Sequence, residues 1–202
     1  MNLRREGVQQ FNIELSRVTR GEPVSDTRIA VLVGSLRAES TNRKLAEKLA
    51  AGAPDGVSLE IVEGLGELPF FNEDLEADPG EAVTQLRKTV TEADRVLIVT
   101  PEYNATIPGV LKNAIDWLSR PYAAGAIKGK VVSVVGVTPT PYGGKWAHAD
   151  AARSVGIAGG IVVEDAIVSQ PAHEIDVFAD VEVQARFAAA VEKLAGFAPA
   201  AV

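Results

Sequence analysis

Cysteine is absent from this 202-residue chain. Without a thiol, disulfide bonds, thiol redox chemistry, cysteine–zinc sites and iron–sulfur ligation by cysteine are excluded. Histidine is nearly as scarce, because the chain has only His148 and His173. Two isolated imidazoles do not suggest a histidine-rich metal site, so no metal centre is predicted.

Long apolar runs and basic clusters are also missing. No apolar segment reaches the roughly 20 residues that a membrane-spanning helix needs, and residues 1–23 contain no hydrophobic signal core. The net charge of −7 and the isoelectric point near 5.0 argue against a nucleic-acid partner. We therefore expect a cytoplasmic protein that binds neither membrane nor nucleic acid.

The composition, with 47% hydrophobic and 23% charged residues, is that of an ordinary globular protein. Residues 1–27 stand apart because they are polar, with only scattered apolar side chains. They are predicted to be an N-terminal extension, either a loose tail or an arm that packs on a partner subunit. Residues 28–202 are predicted to form one domain.

Within this domain, short apolar runs alternate with amphipathic segments. The predicted strands are residues 29–33, 57–61, 96–99, 131–137 and 161–163, the last extended toward Val168. The predicted helices begin near Asn42, Glu81, Pro108, Trp146 and Asp180. This order implies a parallel sheet with helices on both faces. Because only one face of the second strand is apolar, it is predicted to be an edge strand. We therefore expect a flavodoxin-like three-layer α/β sandwich with five strands in the order 2-1-3-4-5.

Polar loops follow the first, third and fourth strands, which are neighbours in this order. Their carboxyl ends would form one crevice, the usual ligand site of such sheets. The first loop places hydroxyls, an arginine and free backbone N–H groups at a helix start, which favours an anion such as phosphate. The residues concerned are Ser35, Arg37, Ser40, Thr41 and Asn42. Neither GxxxxGK[ST] nor GxGxxG occurs here. The alternative is that Ser40 or Thr41 is only a helix N-cap.

The other two loops could hold the body of a planar ligand. Tyr103 offers a stacking face or a hydroxyl, and its loop offers backbone donors. Thr138 could bond a ring edge, and Gly143 with Gly144 would let the backbone approach a flat molecule. The alternatives are an ordinary turn with a partly exposed Tyr103, and simple turn glycines.

Other chemistry-bearing residues are weaker candidates. Glu73 and Asp74 could form an acid–base pair, although a solvated loop fits better. His148 is assigned a surface or packing role, and Trp117 a core or subunit contact. No Ser-His-Asp set and no GxSxG elbow is present, so no catalytic side chain is predicted.

Four motifs together resemble the NAD(P)H-dependent FMN reductases, a flavodoxin-fold group that includes bacterial quinone and chromate reductases and azoreductase-like enzymes. They are GSLRAESTN (residues 34–42), LPFFNED (68–74), TPEYN (100–104) and IPGVLKNAIDW (107–117). The resemblance extends from about residue 28 to the C-terminus. The N-terminal extension and the loop TPTPYGGKW depart from the usual pattern.

The resemblance implies a tightly bound FMN and a homodimer or homotetramer. Ser35, Arg37, Ser40, Thr41 and Asn42 match the phosphate loop, and Pro101, Glu102, Tyr103 and Asn104 match the loop that holds the isoalloxazine ring. Thr138 stands where relatives often carry a Ser or Thr that touches the flavin, and Gly143 is a further candidate.

The implied activity is hydride transfer from NADH or NADPH through FMN to a small-molecule acceptor. Quinones are the expected acceptors, with chromate, azo compounds and free flavin as further possibilities. The flavin would carry the difficult chemistry, so no side-chain acid or base is needed. The rival readings are a non-enzymatic flavodoxin-type electron carrier and a reductase that supplies reduced FMN to a monooxygenase.

Overall fold

The computed structural model describes residues 27–199. The strands are β1 (Thr27–Val33), β2 (Val57–Ile61), β3 (Arg95–Val99), β4 (Val131–Thr138), β5 (Ile161–Val162) and β6 (Val168–Pro171). The helices are α1 (Thr41–Ala51), α2 (Glu81–Glu92), α3 (Gly109–Leu118), α4 (Lys145–Ile157) and α5 (Val181–Gly196). The predicted N-terminal extension lies outside the described residues except for Thr27, which begins β1.

The strands form one parallel sheet in the order β2-β1-β3-β4-β5, which confirms the predicted order. All eight residues of β4 are buried, as expected for a central strand covered on both faces. In β2, the half-buried Val57, Leu59 and Ile61 alternate with the exposed Ser58 and Glu60. The prediction of an edge strand is therefore confirmed.

The fifth strand position differs from the prediction because two short strands occupy it. β5 pairs with the start of β4, and β6 pairs with its end. Between them, Glu164–Ala166 form a 3-10 turn. Because of this turn, the Ala166 carbonyl makes no hydrogen bond within the sheet. It accepts instead from the Ser133 hydroxyl of β4 at 2.7 Å.

Helices cover both faces of the sheet, as a three-layer sandwich requires. One core lies under α2, α3 and α4 and contains Leu86, Leu111 and Ala151 against Leu32 and Ile98. The other core lies under α1 and α5 and is built from these buried side chains, among others: Leu45, Phe187, Ile29, Val31 and Leu97.

The loop after β2 is fastened to α3. The indole Nε1 of Trp117 donates to the Pro69 carbonyl at 2.8 Å, and Asn113 Nδ2 donates to the same oxygen at 3.0 Å. Trp117 is fully buried, so its predicted core role is the one observed. Glu73 is exposed and pairs with Arg120, which fits a solvated loop. No helix of the described chain is both long and apolar enough to cross a membrane.

Candidate functional site

The carboxyl ends of β1, β3 and β4 lie side by side, and the loops that follow them enclose a cavity of about 190 Å³. Every predicted cofactor-binding residue lines it except Asn104 and Gly143. The lining residues are Ser35, Arg37, Ser40, Thr41, Asn42, Pro101, Glu102, Tyr103, Val137, Thr138, Pro139 and Thr140. The structure therefore brings the three predicted loops into one site.

The first loop leaves β1 at Gly34, where only a glycine fits. A Cβ there would lie 2.3 Å from the Thr100 hydroxyl oxygen and 3.3 Å from Leu111 Cδ2. The missing side chain lets the ends of β1 and β3 approach each other. The first two loops can consequently share one cavity.

Ser40 ends this loop as the N-cap of α1. Its hydroxyl accepts from the Arg43 N–H at 3.2 Å, and its side chain is buried. The N-cap alternative is therefore what the structure shows for the Ser40 side chain. The N–H groups of Thr41 and Asn42 have no acceptor among the described residues, and the positive end of α1 adds to their attraction for an anion.

The Asn42 side chain links α1 to β4, a structural role that was not predicted. Its Nδ2 donates to the Val137 carbonyl at 2.9 Å, and its Oδ1 accepts from the Val137 N–H at 2.9 Å. The buried side chain is thereby held against β4. The backbone N–H of Asn42 has no acceptor among the described residues, so it is the Asn42 donor that we propose for a phosphate.

Arg37 is the cation of the site. Its exposed guanidinium has no hydrogen bond or ion pair within residues 27–199. Glu39, in the same loop, is paired with Lys44, which lowers the pKa of the Glu39 carboxyl. The charge of Arg37 is thus free to meet an anion that binds at the start of α1.

The middle loop folds into a two-residue turn. Tyr103 and Thr106 exchange backbone hydrogen bonds of 3.0 and 3.1 Å around Asn104 and Ala105, whose φ angles are 52° and 59°. Asparagine adopts this left-handed conformation readily, whereas alanine does so at a cost. Asn104 lies exposed at the tip and not on the cavity, so it forms the turn and does not line the site.

Side and main chains of α4 hold the middle loop in place. The Glu102 carboxylate accepts from the Trp146 and Ala147 N–H groups at 3.0 and 3.1 Å. Gly144, the N-cap residue of α4, makes no side-chain hydrogen bond to the helix. The Glu102 side chain, which belongs to another loop, caps α4 instead. The Thr106 hydroxyl donates to Asp150 at 2.6 Å. One oxygen of the Glu102 carboxylate, Oε2, is thus engaged by α4.

The third loop contributes Thr138 but not Gly143. The Thr138 hydroxyl is buried, lies 3.1 Å from the Thr140 hydroxyl and lines the cavity. Gly143 packs on β6 instead, because a Cβ there would be 2.8 Å from Pro171 Cδ and its φ is +65°. Gly143 therefore lets the loop cross β6 and does not line the cavity.

Several residues of the site were missed from the sequence. Pro139 and Thr140 line the cavity directly after Thr138, and their position after a strand was the available signal. His148 is buried, which fits its predicted packing role and not a surface role. Its ring lies 3.1 Å from the Thr100 carbonyl, at the root of the middle loop.

A second hollow of about 410 Å³ adjoins the cavity and shares Arg37 and Tyr103 with it. Its other lining residues are Gly34, Leu36, Pro108, Gly109 and Val110. The cavity of about 190 Å³ is smaller than the roughly 300–1,000 Å³ of sites that enclose a whole ligand. The cavity alone could therefore enclose only part of a ligand of ordinary size.

Known proteins resemble this chain in sequence and in fold. A family model described as NADPH-dependent FMN reductase matches residues 27–174. A quinone reductase from Pseudomonas putida is 52% identical over 117 residues, which are 57% of this chain and 62% of that protein. A 2-hydroxy-1,4-benzoquinone reductase from a Burkholderia species is 44% identical over 111 residues, 55% of this chain and 60% of that protein. The chain thus spans less than two thirds of the length of these relatives.

Among solved structures, FerB from Paracoccus denitrificans, a flavoenzyme NAD(P)H:(acceptor) oxidoreductase, superposes with a TM-score of 0.74. It is 33% identical, and the alignment covers 83% of this chain and 97% of FerB. An NADH:FMN oxidoreductase, EMOB, superposes with a TM-score of 0.61 at 18% identity, covering 83% of this chain and 88% of that one, and so supports the fold alone.

Proposed function

The chain belongs to the family of NADPH-dependent FMN reductases, and from this premise we propose that it transfers hydride from NAD(P)H through bound FMN to quinones or similar acceptors. The family confirms the resemblance predicted from the four motifs. The observation that carries the proposal is one cavity in which an anion site at the start of α1 adjoins the middle and third loops.

The residues present fit FMN. The N–H groups of Thr41 and Asn42, together with Arg37, would hold the phosphate, since all three are free within the described chain. The backbone of Pro101 and Glu102 would lie along the ring. Because Tyr103 lines both the cavity and the second hollow, an acceptor in that hollow would lie next to the ring.

When bound, the flavin supplies the capacity to accept a hydride and pass it on. The protein contributes orientation and fixed dipoles. Thr100 donates its hydroxyl to the Pro101 carbonyl at 2.9 Å, which engages this acceptor inside the loop. The Glu102 N–H keeps no acceptor among residues 27–199. A donor without a partner favours the negative charge that a reduced ring carries, so the loop would assist reduction.

The acceptor class follows from the relatives. Two of them are named for quinones, and the second hollow has apolar walls at Leu36, Pro108 and Val110. Quinones are therefore the proposed acceptors, and chromate, azo compounds and free flavin are secondary ones. A homodimer or homotetramer is also proposed. Its support is the groove between α3 and α4, where Tyr122 and Ile157 are 86% and 82% exposed.

Steady-state turnover tests this proposal against its rival. Protein freed of loose flavin by gel filtration is mixed with NADPH and a benzoquinone, and NADPH oxidation is followed. Direct turnover with retained FMN is expected. A non-enzymatic electron carrier would retain FMN but show no direct turnover, and a reductase that supplies free flavin would lose its FMN on the column. Either result would overturn the proposal.

A further inference from the structure

His148 is enclosed where the ends of three strands meet α4. Its side chain is 1% exposed. Nε2 lies 3.1 Å from the Thr100 carbonyl at the end of β3, and Nδ1 lies 2.7 Å from the Ser169 hydroxyl on β6. Burial lowers the pKa of this imidazole, and the Thr100 carbonyl and the Glu102 charge oppose the shift only partly. The ring is therefore neutral at pH 7.

The partners determine which nitrogen carries the proton. A carbonyl oxygen only accepts, so Nε2–H donates to Thr100 and Nδ1 accepts from the Ser169 hydroxyl. Both ring nitrogens are thus satisfied. The Thr100 carbonyl thus fixes the tautomer, and the Ser169 hydroxyl, which can donate or accept, adapts to it and holds the orientation of the ring.

The surrounding backbone leaves room for this imidazole and no more. A Cβ on Gly136 would lie 2.6 Å from Nε2 and 2.1 Å from the Thr100 carbonyl oxygen. A Cβ on Gly144 would lie 3.1 Å from Nε2. The contact between His148 and Thr100 therefore depends on two glycines in neighbouring elements, which is more than a general filling of the core would need.

Thr100 opens the loop that lines the cavity. Its carbonyl is engaged by His148, the next carbonyl, of Pro101, is engaged by the Thr100 hydroxyl, and the Glu102 carboxylate is engaged by α4. These three acceptors are thereby tied to the protein. The backbone N–H and C=O of Glu102 have no hydrogen-bond partner among residues 27–199.

We infer that His148 is a positioning residue for the cofactor site: by holding the Thr100 carbonyl, it fixes the orientation of the backbone at Pro101 and Glu102 that faces the flavin. The inference rests on the proposed function for its ligand, although the tether itself is a property of the chain. His148 does not touch the cavity, so it acts through the loop.

Three substitutions separate tethering from packing. His148→Leu fills a similar volume without any polar group. His148→Gln keeps a donor for Thr100 and an acceptor for Ser169. Ser169→Ala removes the hydrogen bond that holds the orientation of the ring and leaves the imidazole in place. His173→Gln is the matched control, because His173 is partly exposed and contacts Glu174 at 3.7 Å.

Two readouts are needed: the dissociation constant for FMN, and amide hydrogen exchange of residues 102–106 in FMN-free protein. We expect His148→Leu to weaken FMN binding roughly tenfold or more and to speed exchange in the loop, because a buried carbonyl loses its donor. Ser169→Ala should have a smaller effect of the same kind. His148→Gln and His173→Gln should stay close to the unchanged protein.

The inference is overturned if His148→Leu leaves both readouts unchanged, or if His148→Gln is as impaired as His148→Leu. If His148→Leu does not fold, Ser169→Ala decides, and unchanged exchange in that variant overturns the inference. Failure of the unchanged protein to bind FMN contradicts the proposed function instead. In that case the exchange data still decide whether His148 holds the loop.

Discussion

The side-chain amide of Asn42 pairs with both backbone groups of Val137, at 2.9 Å in each direction. β3 pairs with β4 only as far as Val135, so the N–H and C=O of Val137 face a gap on that side of the sheet. Asn42 fills this gap as a peptide group of another strand would. The start of α1, with its free N–H groups, is thereby fixed against β4.

Loss of this pair should destabilise the protein. Asn42→Ala leaves two buried backbone groups of Val137 without partners, and we expect the free energy of unfolding to fall by about 2–4 kcal/mol. Urea unfolding of FMN-free protein measures it. The adjacent, exposed Thr41→Ala is the control and should change the value by less than about 0.5 kcal/mol. Similar small changes in both variants would show that the pair contributes little.

Arg37 should matter for the cofactor and not for folding. Its guanidinium has no partner among the described residues, so Arg37→Gln should leave the unfolding midpoint unchanged. The dissociation constant for FMN should rise roughly 10- to 100-fold, because a charge-assisted contact to phosphate is lost. Binding of riboflavin, which lacks the phosphate, should not change.

Arg43 supplies the matched control for Arg37. It lies on α1, but its charge is already paired with Glu47 and Glu63. Arg43→Gln should leave FMN binding within about twofold, since surface ion pairs contribute little. Equal losses of FMN affinity in the two variants would contradict a specific role for Arg37.

Glu102 should act through α4. Glu102→Ala removes the acceptor for the Trp146 and Ala147 N–H groups, and we expect a loss of about 1–2 kcal/mol in the free energy of unfolding. Glu102→Gln retains an acceptor oxygen and should lose less. Thermal unfolding of FMN-free protein compares the three chains. Equal stability of all three would show that the carboxylate does not cap the helix.

Stability should decline on mild acidification because of His148. Its pKa in the folded protein lies below the ordinary value of 6.5. Between these two values the unfolded chain binds more protons, so the free energy of unfolding falls as pH falls below 6.5 and levels off below the folded-state pKa. The hydrogen bond with Arg43 holds the pKa of Glu63 below 4.5. The stability that this pair contributes is therefore lost only at more acidic pH, when Glu63 becomes protonated.

Comparison of His148→Gln with the unchanged protein isolates this effect. The variant should lose less stability than the unchanged protein as pH falls from 6.5 toward 4.5. Parallel pH profiles for the two chains would show that the histidine at position 148 does not titrate with unfolding.

The order of the sheet could be predicted because hydrophobic patterning is a local property. The runs at residues 29–33, 96–99 and 131–137 indicated buried strands, and the alternation at Val57, Leu59 and Ile61 indicated an edge. The interruption of the fifth strand at Glu164–Ala166 was not predicted. It depends on a hydroxyl of β4 that lies 33 positions away in the chain.

The location of the site could be predicted from the sequence, but the role of each side chain could not. The positions of the three loops follow from the strand order, which the sequence reveals. The hydrogen bonds of the Asn42 and Glu102 side chains do not follow from the strand order, because their partners lie 95 and 44 positions away in the chain. The burial of His148 likewise depends on Gly136 and on Gly144, for which the sequence suggested an approach to a ligand or a simple turn and not contact with a histidine.

Flavin chemistry is tested most directly by the visible absorption spectrum of the purified protein, recorded without oxygen. We expect a yellow protein with the absorption bands of oxidised flavin, which NADPH bleaches and an added quinone restores. A colourless protein that takes up no FMN, or a flavin that NADPH does not bleach, would contradict it.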